Sequence, residues 1–292
     1  MIINTANLNT LYAGFNAAYQ KGFAGVTPLW DTIATEVKST TGSNEYGWLG
    51  SWPKLREWLG DRVVNNIAAH GYSIKNRKFE STVSVKADDI EDDQYGVYAP
   101  LFQEMGRAAG THPDELVFET LKTGLTEKGY DKVPFFGNHK VGKATVSNLQ
   151  AGAEPRWYLM DCSRALKPLV YQNRRPYRLI RKDDPSKSDK VFTTDDYSYG
   201  VDCRANVGFG FWQMAYASGA ELTKDNLRAA FTAMAAQEDE SGKKLGIRAT
   251  HIIVPTTLEF AARDLILTSV MTGGGTNTDL NLVKVVGTSY LG

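Results

Sequence analysis

The amino-acid sequence predicts an α+β fold, on three observations. Phe79, Ser81, Val83, Val85 and Ala87 alternate with Lys78, Glu80, Thr82, Ser84 and Lys86, the period of two that gives a strand one apolar and one charged face. Residues 156–212 carry short apolar and aromatic runs separated by turn residues, which reads as a β-rich middle. From residue 218 the pattern changes to helix, strand, helix, strand, a compact α+β lobe distinct from what precedes it.

At 292 residues the chain fits one large domain or two modest ones, with ample material for a core. The 42% hydrophobic and 23% charged fractions are those of an ordinary soluble globular protein. Lys+Arg and Asp+Glu both number 33, so the formal net charge is zero. A protein that lives by gripping nucleic acid usually shows a basic excess. A balanced chain does not hold its own copies apart. The two cysteines, Cys162 and Cys203, lie in different segments without a CxxC or Cys/His pair, so reduced, partly buried thiols are expected rather than zinc. The first residues show neither a basic n-region nor an apolar h-region, and no run of about 18 apolar residues exists to span a membrane. The chain is expected to stay in the cytoplasm.

Along the chain, residues 1–45 place Leu8, Leu11, Phe15, Ala18 and Tyr19 at helical spacing, with Gly14, Gly22 and Gly25 limiting the helix. This stretch reads as an arm lying on another body or as a simple N-terminal helix. Residues 46–60 hold Tyr46, Trp48, Trp52 and Trp58 among glycines and a proline, a composition that builds either an interface or a local mini-core. A first strand near residues 63–69 and the alternating one near 78–87 make a long hairpin, whose apolar face needs a cover. The rest of the domain or a neighbouring molecule is the candidate cover.

The acidic run Asp88, Asp89, Glu91, Asp92 and Asp93 precedes a helical pattern with Val97, Leu101, Met105 and Ala108 on one face, where carboxylates favour the helix N-terminus. It lacks the spacing and closing Glu of a calcium loop. A second helix is expected after Thr111 as N-cap, with Pro113 in its first turn, Leu116, Phe118, Leu121 and Leu125 apolar, and Gly124 at its end. Residues 129–152 read as a long loop containing His139, a surface or interface histidine rather than a ligand. Strands follow at 157–160, 166–171, 177–180 and 207–212. Residues 173–182 contain Arg174, Arg175, Arg178, Arg181 and Lys182, read either as a nucleic-acid contact or as a solvated or ion-paired strand. In the last third, Leu227, Ala230, Phe231 and Met234 mark an amphipathic helix. A short strand at 251–255 precedes a capping-box spacing, Thr256 and Glu259, and a helix with Leu258, Ala262, Leu265 and Ile266. Residues 272–277 are a flexible loop, and 282–286 a final strand.

Chemistry is poorly signposted. The glycines at 273–275 have no Lys-Ser/Thr after them, and there is no GxGxxG, GxSxG or HExxH. Asp161, Ser163 and Arg164 sit together without a nearby histidine, which reads as a buried or interfacial polar brace. No catalytic residue, cofactor or metal site is expected.

Four stretches carry more information than any of these. Residues 157–172 (WYLMDCSRALKPLVYQ), 199–217 (YGVDCRANVGFGFWQMAYA), 245–263 (LGIRATHIIVPTTLEFAAR), and 133–138 with 146–152 (VPFFGN, VSNLQAG) resemble the major head subunit of Mu-like phages and prophages. The resemblance runs from the acidic segment to the C-terminus and is less diagnostic over the first 60 residues. It implies the tailed-phage major capsid fold: N-terminal arm (1–45), extended β-hairpin loop (46–90), peripheral domain with spine helix and β-sheet (91–217, the spine near 94–125) and axial lobe (218–292). Pro100 and the break at 110–113 predict a kinked or split spine.

It also implies a function: a major capsid protein that assembles with itself as pentamers and hexamers into an icosahedral shell around double-stranded DNA. Its other partners would be a scaffold or protease, a portal and decoration proteins, with assembly in the host bacterial cytoplasm and no membrane. Trp48, Trp52, Trp58, Lys78, Phe79, Val83, Val85 and Lys86 are the candidate subunit contacts. Some relatives of this fold join subunits by Lys–Asn bonds, for which Lys75 and Asn76 are the nearest pair. The alternatives are a soluble α+β enzyme, using Asp161 and Ser163, or another phage structural component.

Overall fold

The N-terminal helix runs further than its glycines suggest. In the computed structural model, which describes residues 2–50, 71–92, 94–183, 189–270 and 274–292, α1 spans Thr5–Ala24. Asn4 caps it, its side chain accepting from the Asn7 N–H at 2.9 Å. One helical turn, α2 (Trp30–Ile33), leads into β1 (Ala34–Lys38), then β2 (Ser43–Glu45), β3 (Ser73–Lys75) and β4 (Arg77–Lys86). The short helix α3 (Ala87–Glu91) precedes the long helix α4 (Ala99–Thr123). β5 (Asn138–Val141), β6 (Ala144–Ser147), β7 (Leu149–Gln150) and β8 (Trp157–Met160) follow. The long strands β9 (Leu169–Lys182) and β10 (Asp196–Phe209) flank α5 (Asp189–Thr194). The chain ends with β11 (Ala215–Ser218), α6 (Lys224–Ala235), β12 (His251–Pro255), α7 (Thr256–Leu267) and β13 (Lys284–Thr288).

Two sheets organise these elements. The first has the order β1-β9-β10-β4, antiparallel except where β1 lies parallel to β9. The second has the order β13-β12-β8-β11-β7. Strands from both sides of residue 218 share it, so the change in sequence character there marks where helices enter rather than where a sheet ends.

The buried apolar residues form two cores; the first sheet contributes to both, the second sheet to the larger, and α4 serves both. Its first half packs Phe102, Met105 and Ala109 with Leu8, Leu11, Phe15 and Tyr19 of α1 onto Val85, Leu179, Tyr199 and Val201. Phe15 and Phe102 stack at 4.1 Å, and Tyr199 meets both rings edge-on. The second half sends Leu116, Val117, Phe118 and Leu121 into the larger core, with Trp157, Leu159, Ile252, Ile253, Leu227 and Ile266. The two cores straddle Pro113.

That packing explains why the expected break does not occur. α4 is one helix of 25 residues, with Pro100 in its first turn, where a missing N–H costs nothing, and Pro113 inside it. Burial on both sides of Pro113 offsets the lost hydrogen bond. Thr111 is therefore an interior residue rather than an N-cap, and its hydroxyl donates to the Ala108 carbonyl at 3.2 Å. The buried face is rotated from the expected one. Val97 precedes the helix in a 3-10 turn and is exposed, as is Leu101, while Phe102 takes the inward position. Asp88, Asp89 and Glu91 of the acidic run lie within α3 itself, the first two in its first turn.

Smaller corrections follow the same logic. Gly22 does not end α1 because it lies at a helix crossing: a Cβ there would stand 1.9 Å from the Gln103 carbonyl oxygen, and one on Gly106 would stand 2.0 Å from that of Tyr19. The stretch expected as a loop over 129–152 contains β5, β6 and β7. The strands expected at 166–171 and 177–180 are parts of the single strand β9. The capping box at Thr256 is absent: Pro255 holds the N-cap position, and Glu259 pairs instead with Arg263 at 2.8 Å.

Candidate subunit interface

The candidate contacts divide sharply once placed. Trp52 and Trp58 lie outside the described residues, as does the first strand expected at 63–69. Trp48 is half-buried, 5.8 Å from the ring of Tyr46 and 6.0 Å from that of Phe211, so part of its surface belongs to the larger core. β4 is the edge strand of the first sheet among the described residues, paired with β10 from Lys86–Asp196 to Arg77–Ala205. Its apolar face is covered by its own chain: Val85 is fully buried against α1 and α4, which removes it as a contact for a neighbour. Val83 and Phe79 are half-buried. Lys78 and Lys86 point the other way, are exposed, and remain accessible.

Phe79 stands at a distinct place. A cavity of about 240 Å³ lies between α4 and the sheet, lined among others by Phe79, Met105, His112, Tyr177 and Cys203. The rings of Phe79 and His112 meet edge-on at 4.4 Å, and His112 Nδ1 is 2.6 Å from Tyr177 Oη. Burial lowers the pKa of His112 and raises those of Tyr177 and Cys203, which favours the neutral form of each, although Glu80, Glu115 and Asp202 also line the cavity.

Three of the five basic residues of β9 are paired with carboxylates of the same chain, Asp202 and Asp183. Arg175 Nη2 and Arg178 Nε both reach the buried Asp202, at 2.5 and 3.0 Å. Arg181 donates to Asn9 at 2.7 Å, lies 3.4 Å from Asp183, and stacks 4.5 Å over the ring of Tyr12. These contacts tie β9 to α1. Arg174 Nη1 reaches the Ser39 carbonyl at 3.4 Å, and Lys182 is exposed. Asp202, which gathers two arginines, was not legible as their partner, because it lies 24 residues beyond Arg178 and only the β9–β10 pairing brings it near.

Asp161 is a brace, as its sequence context suggested. It is 1% exposed. Its Oδ1 accepts from the Ser163 N–H and hydroxyl at 3.1 and 2.6 Å, and its Oδ2 accepts from the Arg248 N–H at 3.3 Å. Arg164 donates to the carbonyls of Leu245 and Gly246 at 2.9 and 3.0 Å. Together they staple the end of β8 to residues 245–248. His139 is not on the surface: it is fully buried, stacked 3.8 Å from Trp212, with Nδ1 at 2.5 Å from Asp131. Asn76 is equally committed. Its amide donates to Ser39 and Thr41, and its oxygen accepts from Gln172 at 2.7 Å, so it is not at a free hairpin tip. Among the described residues no group of three or more His, Cys, Asp or Glu is placed to hold a metal, and no helix is long and apolar enough to cross a membrane. Cys162 and Cys203 are both free thiols, Cys203 buried and Cys162 partly so.

Comparison with known proteins covers nearly the whole chain. A family model described as Mu-like prophage major head subunit gpT matches residues 8–291. The Mu-like prophage FluMu major head subunit of Haemophilus influenzae is 43% identical over 301 residues, covering 96% of each chain. The major capsid protein of Escherichia phage Mu is 42% identical over 291 residues, covering 94% of each. Among solved structures, a chain from the procapsid of bacteriophage JBD30 matches with a TM-score of 0.88 and 44% identity, over 99% of this chain and 100% of that one. A chain from the JBD30 capsid matches with a TM-score of 0.81 and 35% identity, over all of both chains.

Proposed function

Because the chain belongs to the Mu-like prophage major head subunit gpT family, a family of structural rather than enzymatic proteins, we propose that it assembles as pentamers and hexamers into an icosahedral head enclosing double-stranded DNA. That the chain is a major capsid protein with the capsid fold follows from the family itself. The observation that carries the finer reading is the match to a procapsid subunit over 99% of the chain. Assembly takes place in the host bacterial cytoplasm, with a scaffold or protease and a portal as partners. One JBD30 capsid is decorated with minor capsid protein trimers, and a comparable decoration of this shell is part of the proposal.

The charge distribution supports a container rather than a nucleic-acid reader. Net charge is zero, and Arg175, Arg178 and Arg181 of the basic strand are engaged by Asp202, Asp183 and Asn9. Packaged DNA is therefore enclosed without sequence reading, and contact with it is weak and repeated. Self-assembly follows the same arithmetic: modest contacts made with several neighbours at once give a strong shell.

Lys78 and Lys86 are the exposed candidates left on β4. Reversing both, Lys78→Glu with Lys86→Glu, is expected to leave the thermal midpoint within about 2 °C, because exposed charges carry little stability. Shell yield in sedimentation is expected to fall. Normal assembly of that double variant and of Trp52→Ala alike would refute the assignment of this strand and the aromatic cluster to the interface.

A further inference from the structure

The first sheet carries opposite charge at its two ends. At one end Lys78 of β4 lies directly opposite Arg204 of β10, and Arg204 lies opposite Arg175 of β9, so three neighbouring strands place cations in one row. Like charges directly opposite each other destabilise a sheet. Arg175 is relieved by the buried Asp202, which also pairs with Arg178. Glu80, in the adjacent row, accepts from the Thr82 hydroxyl at 2.8 Å. Among the described residues Lys78 and Arg204 have no ion pair, and Lys78 is exposed with the exposed Lys75 and Arg77 beside it in the chain. At the other end, α3 and the entry to β10 bring together Asp88, Asp89, Glu91, Asp92, Asp195 and Asp196, against the exposed Lys86 and Lys182. Asp89 accepts from the Tyr98 hydroxyl. Asp88, Asp92 and Asp195 are exposed and, among the described residues, not ion-paired.

We propose that the row formed by Lys78 and Arg204 in one copy of the chain docks on the acidic end, centred on Asp88 and Asp92, of a second copy. The proposal rests on the capsid reading above and specifies one of its contacts. Charge complementarity selects the occupant. Lys78 and Lys86 lie at opposite ends of β4, so the two charged ends stand roughly 26 Å apart at about 3.3 Å per residue. At physiological salt exposed charges are screened beyond about 8 Å, so neither end neutralises the other within one copy. A second copy supplies the missing charge to both ends, in keeping with a chain whose 33 basic and 33 acidic residues balance. Nucleic-acid phosphates would meet only the basic end and leave the acidic end without a partner. The contact joins two different patches head to tail, and such contacts generate rings when the rotation closes.

Carbodiimide, which joins a lysine amine directly to a carboxylate, tests this in purified wild-type shells formed with the scaffold. Mass spectrometry is expected to find Lys78 linked to Asp88 or Asp92, a pair too distant to link within one copy. Three variants give a second arm: Lys78→Glu/Arg204→Glu, Asp88→Lys/Asp92→Lys, and the four changes together. Each double variant is expected to keep the wild-type circular dichroism while its shell yield falls roughly tenfold or more, because like charges are brought face to face. The fourfold variant is expected to recover to within about threefold of the wild type, since it restores opposite charges across the contact. No link from Lys78 to this end overturns the proposal, and this result decides alone where a variant fails to fold. A fourfold variant that folds but assembles no better than the double variants overturns it as well. So do double variants that assemble at wild-type yield; a loss of packaged DNA from such shells would assign the basic row to DNA. Failure of the wild type to form any shell would instead overturn the capsid reading on which the proposal depends.

Discussion

Gly106→Ala is expected to destabilise the subunit by about 3 kcal/mol, the upper range for forcing extra volume into a packed interior. The added methyl would stand 2.0 Å from the Tyr19 carbonyl oxygen and 2.9 Å from the Phe23 amide nitrogen. Both obstacles are backbone, so no side chain can swing aside and α1 must lift from α4. Gly22→Ala meets the same wall from the other helix, at 1.9 Å from the Gln103 carbonyl oxygen. Gly14 lies on the same helix, and a methyl added there would meet nothing within 4 Å. Gly14→Ala is therefore expected to leave stability unchanged or raise it by up to about 1 kcal/mol, through helix propensity alone. Thermal unfolding separates these cases, since about 3 kcal/mol corresponds to a drop of roughly 6–12 °C in a domain somewhat smaller than this one. Equal behaviour of Gly14→Ala and Gly106→Ala would contradict the close crossing.

Asn148→Ala is expected to cost about 3–5 kcal/mol, because it orphans several buried groups at once. Asn148 is 1% exposed. Its oxygen accepts from the Gly137 N–H at 2.9 Å, and its amide serves the carbonyls of Phe135, Trp212 and Ala215 at 2.9, 3.2 and 3.2 Å. One side chain thereby fastens the VPFFGN segment to the turn between β10 and β11. Asn148→Asp keeps the shape but replaces the donor with an acceptor facing three carbonyls, and adds a buried charge. It is expected to be at least as damaging as alanine, measured by urea denaturation. A mild effect of Asn148→Asp would show that this crossbar carries little of the stability.

Local periodicity made some of these elements legible and left others hidden. The strand over 77–86 and the helix over 224–235 follow directly from alternation and from the i, i+3, i+4, i+7 spacing of Leu227, Ala230, Phe231 and Met234. The continuous α4 was not legible, because Pro113 is a local breaker whose cost is offset by two cores that sequence spacing does not display. The glycines of α1 misled for the same reason: Gly22 of α1 and Gly106 of α4 are matched to each other across a helix crossing, far apart in the chain. His139 looked solvent-facing because its stacking partner, Trp212, and its hydrogen-bonding partner, Asp131, come from different segments.

The candidate interface residues divide in the same way. Alternation correctly separated Lys78 and Lys86 from the apolar side of β4. It could not show that α1 and α4 already cover Val85.

Electron microscopy of the largest species formed when the full-length chain is expressed with its scaffold tests the central claim most directly. Rings of five or six subunits and closed shells are the expected result, seen alongside a high-mass fraction in light scattering. A monodisperse monomer or dimer that persists with the scaffold present would contradict it.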